Sequence, residues 1–185
     1  SGSTADAAKW LGWPIILVVD AGGLSASVIA LVEGFSNYRR DIKIVGVIFN
    51  RVGGEGHERI LREALSNTNI PCLGCIPRHE GLSLPNRHLG LMQANEMPLL
   101  ESWLDEAAKI VASSIDLDLL SKLSVKSEWR PVSNYHLPIP TLGKHTAIAR
   151  DKAFSFCYEH VLDAWRTEGV NITFFSPLAG ETPNS

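Results

Sequence analysis

The stretch Pro14-Ile-Ile-Leu-Val-Val-Asp20 decides the fold class of this chain. It is an uninterrupted aliphatic run, which is typical of a β-strand that is covered on both faces. Gly22 and Gly23 end the run, and apolar residues at helical spacing follow over residues 24–38. A strand, a glycine turn and a helix in this order predict a β-α-β unit and therefore a parallel sheet.

The same alternation continues outward from this stretch and predicts one α/β region over residues 1–124. Aliphatic runs predict the other strands and 3.6-residue spacing predicts the other helices. The predicted strands cover 44–49 and 72–76, and the predicted helices cover 4–11, 57–67, 98–114 and 117–123.

The composition changes after residue 124. Residues 126–144 contain Pro131, Pro138 and Pro140 and show no regular apolar period. This predicts a linker over residues 125–144. The alternation then restarts, with a strand at 145–149, a helix at 154–168 and a strand at 170–175. One β-α-β unit does not bury both faces of its sheet, so residues 145–185 are expected to be the truncated start of a second domain.

Bulk properties exclude several classes of protein. The chain has 185 residues, 45% hydrophobic and 20% charged, as in an ordinary globular protein. A net charge of -3 argues against nucleic acid and anionic membranes as partners. No apolar run approaches the roughly 20 residues that span a bilayer. Three cysteines give no disulfide framework, so a reducing cytoplasm is the expected location.

The pair Cys72 and Cys75 has the C-x-x-C spacing of redox motifs and zinc half-sites. It lies within Ile70-Pro-Cys-Leu-Gly-Cys-Ile-Pro77, which has the character of a buried strand, and no second Cys or His pair has zinc-finger spacing. The pattern favours packing in the core over a redox or metal role.

Polar residues follow each predicted strand, at the sheet edge where open α/β proteins bind ligands. Asp20 either acts near a metal or a phosphate or caps the following helix. Asn50, followed by Arg51, either presents its amide to the edge of an adenine or stabilises a turn. Pro77 precedes Arg78, which either binds a phosphate or carboxylate or forms a surface ion pair. The sequence has no G-x-x-x-x-G-K-[ST] motif. These residues alone indicate a nucleotide-sized site on an α/β sheet.

Longer strings resemble the cobyrinic acid a,c-diamide synthase family. The resemblance extends in order over nearly the whole chain. It rests on Ile16-Leu-Val-Val-Asp-Ala-Gly-Gly23, Gly46-Val-Ile-Phe-Asn-Arg-Val-Gly53, Gly74-Cys-Ile-Pro-Arg-His-Glu80, Leu84-Pro-Asn-Arg-His-Leu-Gly-Leu91, Ala147-Ile-Ala-Arg-Asp-Lys-Ala-Phe-Ser-Phe-Cys-Tyr158 and Phe174-Phe-Ser-Pro-Leu178.

The resemblance implies a two-domain enzyme of which this chain is an internal fragment. Residues 1–124 would be a partial ATP-binding amidoligase domain, similar to dethiobiotin synthetase, and residues 145–185 would begin a class I glutamine amidotransferase domain. ATP with Mg²⁺ would activate the a and c carboxylates of cobyrinic or hydrogenobyrinic acid as acyl phosphates, and ammonia from glutamine would form the amides. A homodimer is also compatible with the resemblance.

Only some functional residues transfer from the family to this chain. Asn50 matches the position at which the similar dethiobiotin synthetase fold contacts adenine, and its neighbour Arg51 is also expected to bind the cofactor. Pro77 and Arg78 match the loop that flanks the same base. Ser3 and Thr4 match a segment near the corrin or the phosphates, and Asp20 is expected to overlook the reaction site.

The P-loop, the magnesium ligands and the glutaminase Cys and His are expected outside these 185 residues, and Cys157 does not match the nucleophile. The chain alone is therefore expected to hydrolyse neither ATP nor glutamine, and its sheet should have an exposed edge.

Two other functions compete with this interpretation. One is that of the sibling cobyric acid synthases, which share the architecture and amidate other side chains. The string Arg87-His-Leu-Gly-Leu91 favours the a,c-diamide enzymes. The other is a non-catalytic regulatory or protein-binding module on the same fold, which the missing P-loop would suit.

Overall fold

A computed structural model of the chain describes residues 2–83, 94, 97–125 and 139–183. The chain divides into two compact units, residues 1–129 and residues 130–185. The division falls inside the stretch predicted as a linker. Residues 126–138 of that stretch lie outside the described residues, as does the string over residues 84–91, so both interpretations stay predictions.

The first unit is built on a sheet of three parallel strands in the order β1-β2-β3. The strands are β1 (Ile15–Asp20), β2 (Ile44–Val52) and β3 (Cys72–Pro77). The helices are α1 (Thr4–Leu11), α2 (Val28–Tyr38), α3 (Glu55–Leu65), α4 (Leu100–Ser114) and α5 (Leu117–Leu123). The predicted parallel α/β sheet is confirmed.

The core of this unit lies between the sheet and the crossover helices α2 and α3. Val32 of α2, Leu61 of α3 and Phe49 of β2 are fully buried and belong to one core cluster. The amphipathic spacing of both helices produces this arrangement, because residues three and four apart fall on one face.

Helices α4 and α5 approach the sheet elsewhere, at Gly74 of β3. A Cβ at residue 74 would stand 2.2 Å from the carbonyl oxygen of Ser114, at the end of α4. Glycine therefore lets the α4–α5 junction contact the strand directly, and the backbone N–H of Asp116 donates to the carbonyl of Leu73 at 2.8 Å.

The second unit is smaller. Strands β4 (His145–Ala149) and β5 (Asn171–Phe175) pair in parallel, and helix α6 (Glu159–Thr167) connects them. Among its described residues only Leu162 and Val170 are buried hydrophobic side chains.

Four helix starts differ from the predictions, those of α3 and α4 by only two residues and those of α2 and α6 by more. Helix α2 begins at Val28 rather than at residue 24, because Leu24 closes a turn onto the carbonyl of Ala21. Helix α6 begins at Glu159 rather than at residue 154, because the Asp151 carboxylate accepts the backbone N–H of Phe154 and holds it in a turn. Apolar spacing does not reveal such side-chain competition for backbone groups.

The sequence has no apolar run long enough to predict a membrane-spanning helix. None of the helices in the described residues has the length and apolar character needed to cross a bilayer.

Candidate functional site

The carboxyl ends of the three parallel strands form one edge of the first sheet. Asp20, the last residue of β1, lies beside Asn50 of β2, and Pro77, the last residue of β3, lies beside Val52. The backbone N–H of Arg78 donates to the carbonyl of Val52 at 2.9 Å. The sheet register therefore brings together polar residues that are far apart in the sequence.

Arg51 has an unusual backbone conformation at this edge. Its φ is 61°, in the left-handed region that non-glycine residues rarely adopt, and the pairing of β2 with β3 shifts register between Phe49 and Val52. The Asn50 side-chain oxygen accepts the backbone N–H of Arg51 at 2.9 Å and supports this conformation. Strain of this kind occurs often at binding sites.

Asp20 is held by the glycine turn and by Arg51. Its Oδ1 accepts the backbone N–H of Gly22 at 2.9 Å, and its Oδ2 accepts the Arg51 guanidinium at 2.8 Å. The Gly22 hydrogen bond, followed by the Arg51 hydrogen bond and the charges of Arg51 and Arg78, lowers the pKa of Asp20. Asp20 does not cap the following helix, whose N-cap is Ser27, so that alternative is wrong.

A cavity of about 280 Å³ opens between the ends of β2 and β3. It contains all four residues that the sequence assigned to cofactor binding. Its lining residues are Asn50, Arg51, Pro77, Arg78, His79, Leu82 and Ser83. Asp20 reaches this group through its ion pair with Arg51.

The structure does not bring Ser3 and Thr4 into this cavity. Ser3 is the N-cap of α1, where its hydroxyl accepts the backbone N–H of Asp6 at 3.2 Å, and Thr4 is the first helical residue. Asp6 in turn pairs with Arg39 at 2.6 Å, in the connection that leads to the amino end of β2. A substrate role for Ser3 and Thr4 stays a prediction.

The cavity offers donors and positive charge. The Asn50 amide oxygen has two lone pairs, one of which Arg51 uses, and no described residue accepts a hydrogen bond from its NH₂ group. Arg51 and Arg78 add two guanidinium groups. The volume is at the lower limit of small-molecule pockets, about 300–1,000 Å³, which suits a planar base better than an entire nucleotide.

His57 is a further residue of this edge, and its position after a glycine loop is its only signal in the sequence. Its Nδ1 accepts the backbone N–H of Gly53 at 3.0 Å, and its Nε2 is 2.8 Å from the carbonyl oxygen of Leu24. With Nδ1 as acceptor, Nε2 carries the proton and donates. His57 therefore joins the loop after β2 to the loop after β1.

The comparisons with known proteins cover the same region and the rest of the chain. A family model described as an AAA domain, which is a P-loop-type domain, matches residues 2–86. The hydrogenobyrinate a,c-diamide synthase of Brucella anthropi is 49% identical over 183 residues, which are 98% of this chain and 42% of that protein. The chain belongs to the hydrogenobyrinate a,c-diamide synthase family.

Two further relatives in this family match over the same extent. The hydrogenobyrinate a,c-diamide synthase of Rhizobium meliloti is 46% identical and is matched by 100% of this chain over 42% of its own length. That of Rhodobacter capsulatus is 40% identical, with 99% of this chain and 41% of the relative covered. The chain thus spans less than half the length of these synthases. No solved structure matches the chain significantly.

The family match places the cavity within a P-loop-type domain. Residues 2–86 include β1, β2 and β3 and every lining residue of the cavity. The cavity at the carboxyl edge therefore lies within the part of the chain that matches the AAA domain.

Proposed function

We propose that this chain is an internal part of a hydrogenobyrinate a,c-diamide synthase and contributes the base-binding side of its ATP site. The observation that carries the proposal is the cavity in which Asn50 and Arg51 meet Pro77 and Arg78, inside the AAA-domain match. The names of the relatives support hydrogenobyrinic acid as the substrate, and cobyrinic acid is the alternative that the sequence strings suggest.

The donor set of the cavity fits an adenine base. The Asn50 NH₂ group donates to a ring nitrogen, while the second lone pair of its oxygen accepts the exocyclic amine. Pro77 offers an apolar wall to the base. Arg51 and Arg78 keep the surrounding potential positive, which favours a polyphosphate nearby. ATP, when bound, supplies the phosphoryl group that converts a carboxylate into an acyl phosphate.

The described residues do not fit a magnesium site. Nowhere in the described ranges do three His, Cys, Asp or Glu residues come together as metal ligands. Both oxygens of Asp20 already accept hydrogen bonds, from Gly22 and Arg51. We therefore assign the ligands of Mg²⁺ to other parts of the parent enzyme, and no step of the reaction passes through a metal held by this chain.

The second unit is proposed to begin a glutaminase domain of the class I amidotransferase type. Its strand-helix-strand order over residues 145–175 supports this, since a domain of parallel strands and crossover helices starts in the same way. We propose that the parent is a cytoplasmic homodimer. In this parent, the glutaminase domain would release ammonia from glutamine. The amides would then form at the a and c carboxylates.

The experiment that tests the proposal compares Asn50→Ala with Asn37→Ala in the full-length parent. Asn37 is an exposed asparagine on α2 and serves as the matched control. With hydrogenobyrinic acid, glutamine and ATP, we expect Asn50→Ala to raise the KM for ATP about two- to tenfold, the effect of one lost hydrogen bond. The KM for the corrin should stay constant.

Nucleotide selectivity gives the second readout. The wild-type parent should prefer ATP over GTP, and Asn50→Ala should reduce this preference. An equal change in the KM for both nucleotides, or a change as large in Asn37→Ala, would contradict the assignment of Asn50 to the base. A parent that forms no a- or c-amide from hydrogenobyrinic acid, measured by mass spectrometry, would refute the proposed activity itself.

A further inference from the structure

The two cysteines of β3 lie on the same face of the sheet, although they are three residues apart. In a regular strand such residues face opposite sides. Cys72 is paired with Val47, Gly74 with Ile48 and Cys75 with Phe49, so the strand gains one residue after Cys72 and is bulged. The bulge brings the two sulfur atoms to 4.0 Å.

The two sulfurs differ in their access to solvent. Cys75 is 6% exposed and belongs to the core beneath α3, so the core packing predicted for the pair is confirmed for this cysteine alone. Cys72 is half-buried and lines an open cleft of about 300 Å³ with Arg62, Ser66 and Thr68. A reagent in this cleft reaches Cys72 first, with Cys75 directly behind it.

The surroundings make Cys72 the more acidic of the two thiols. The hydrogen bond from Cys75 and then the positive charge of Arg62 lower the pKa of Cys72 to about 7, although burial and, more weakly, the charge of Glu58 oppose this shift. The same hydrogen bond, together with burial, raises the pKa of Cys75. Glu58 also accepts a hydrogen bond from Arg62 at 2.7 Å, which holds the guanidinium in place. Cys72 therefore has the properties of an attacking thiolate, and Cys75 those of a resolving thiol.

We propose that Cys72 and Cys75 form a reactive dithiol that is oxidised reversibly by low-molecular-weight disulfides. The Cys72 thiolate attacks one sulfur of the small disulfide, breaks its S–S bond and releases one thiolate. Cys75 gives its proton to that leaving thiolate and attacks the Cys72 sulfur of the mixed disulfide, which releases the second thiolate. The product is a Cys72–Cys75 disulfide and the small disulfide is reduced to two thiols, so two electrons are transferred.

This site is independent of the proposed function. The sulfurs must close from 4.0 Å to about 2.05 Å, which the extra residue of the bulge accommodates more easily than a regular strand. The remaining cysteine, Cys157, lies in the second unit and is also half-buried. It provides an internal control in the same molecule.

The test treats the chain with oxidised glutathione at neutral pH and maps the products by mass spectrometry. We expect the wild-type chain to lose two hydrogens through a Cys72–Cys75 disulfide that dithiothreitol reverses. The Cys75→Ala variant should stop at a glutathione adduct on Cys72, and Cys157→Ser should behave like the wild type. A wild-type chain that forms no internal disulfide, or that carries glutathione mainly on Cys157, overturns the proposal.

Alkylation of the wild-type chain gives a readout that does not depend on any variant. Cys72 should react with iodoacetamide about threefold faster than an unperturbed thiol at neutral pH, after allowance for its lower nucleophilicity. The rate should rise with pH through a midpoint of about 7. Arg62→Ala should move this midpoint upward, whereas Arg59→Ala, an exposed arginine on the same helix, should leave it unchanged. A Cys72 rate no higher than that of an unperturbed thiol contradicts the proposal.

Discussion

Asp20 and Asp151 stand at corresponding places in the two units, each at the carboxyl end of the unit's first strand, and their partners differ. Asp151 accepts three backbone N–H groups, from Ala153 at 2.8 Å, Phe154 at 3.1 Å and Leu178 at 3.0 Å. It also accepts the Ser176 hydroxyl at 3.1 Å. Asp20 accepts one backbone N–H, and its other partner is the half-exposed Arg51 side chain.

This difference separates a structural carboxylate from one beside the cavity that we propose as a binding site. Three of the partners of Asp151 are backbone N–H groups, and these hydrogen bonds connect the end of β4 to the turn after β5. The partner of Asp20 is a flexible side chain that also lines the cavity, so a ligand can compete for it. The sequence position alone does not distinguish the two.

The two units also differ in how many apolar side chains their sheets bury. The first unit buries a cluster of side chains between three strands and two helices, whereas in the described part of the second unit only Leu162 and Val170 are buried. A two-stranded sheet with one helix has little apolar burial, so its stability depends on few contacts.

The largest expected effect is that of Leu162→Ala, compared with Leu61→Ala as the matched change in the first unit. Both leucines are at most 1% exposed, and loss of a buried leucine costs about 2–5 kcal/mol. We expect Leu162→Ala to reduce hydrogen-exchange protection in β4 and β5 by about 30-fold or more, which removes most of it. Leu61→Ala should weaken the first unit without unfolding it. If both substitutions lower protection equally in both units, the contrast between the sheets is wrong.

A smaller effect is expected for Asp151→Asn, measured as hydrogen exchange near residues 151–154 and 176–179. The amide loses the charge that binds the backbone N–H groups, so protection there should fall roughly three- to tenfold. Asp163→Asn, which alters only a surface pair with Arg166, is the control.

The pH dependence of the same region provides a second check. The backbone N–H of Leu178, then those of Ala153 and Phe154 and the Ser176 hydroxyl, lower the pKa of Asp151. The stabilisation is thus fully present above the unfolded pKa of about 3.9 and is lost as the pH falls through the folded pKa. Wild-type protection should decline below about pH 4, and Asp151→Asn should remove this part of the pH dependence. If the hydrogen-exchange protection of Asp151→Asn declines below about pH 4 as it does in the wild type, Asp151 is not the residue that holds this region together.

The smallest effect on stability is expected for Asp20→Asn. Its ion pair is exposed, so the thermal midpoint of the first unit should shift less than that of the second unit in Asp151→Asn. Release of Arg51 should increase the affinity of the cavity for inorganic pyrophosphate a few-fold, measured by calorimetry at low salt. Affinity that stays equal in wild type and Asp20→Asn would mean that Arg51 does not contact the anion.

The sequence predicted the existence and type of the elements better than their ends. Helix α5 and strand β4 have the predicted bounds, because strong periodicity is not opposed by local side-chain hydrogen bonds. Helix α6 starts five residues late, since the Asp151 carboxylate holds the preceding segment in a turn. Side-chain capping depends on three-dimensional distances and has no periodic signal.

The candidate site was predicted as residue types but not as a geometry. The sequence indicated polar residues after each strand, and sheet register brought Asn50, Arg51, Pro77 and Arg78 to one cavity. It did not predict the left-handed conformation of Arg51 or the two loop contacts of His57.

The sequence by itself determined the alternation of strands and helices, the parallel sheet and the family, because aliphatic runs, helical spacing and motif order are all properties of the linear chain. Only the tertiary structure decided that Asp151 binds several backbone groups and that Asp20 pairs with Arg51. It also decided that two cysteines in one strand face the same side. These depend on strand register and on a bulge, where a shift of one residue reverses the direction of a side chain.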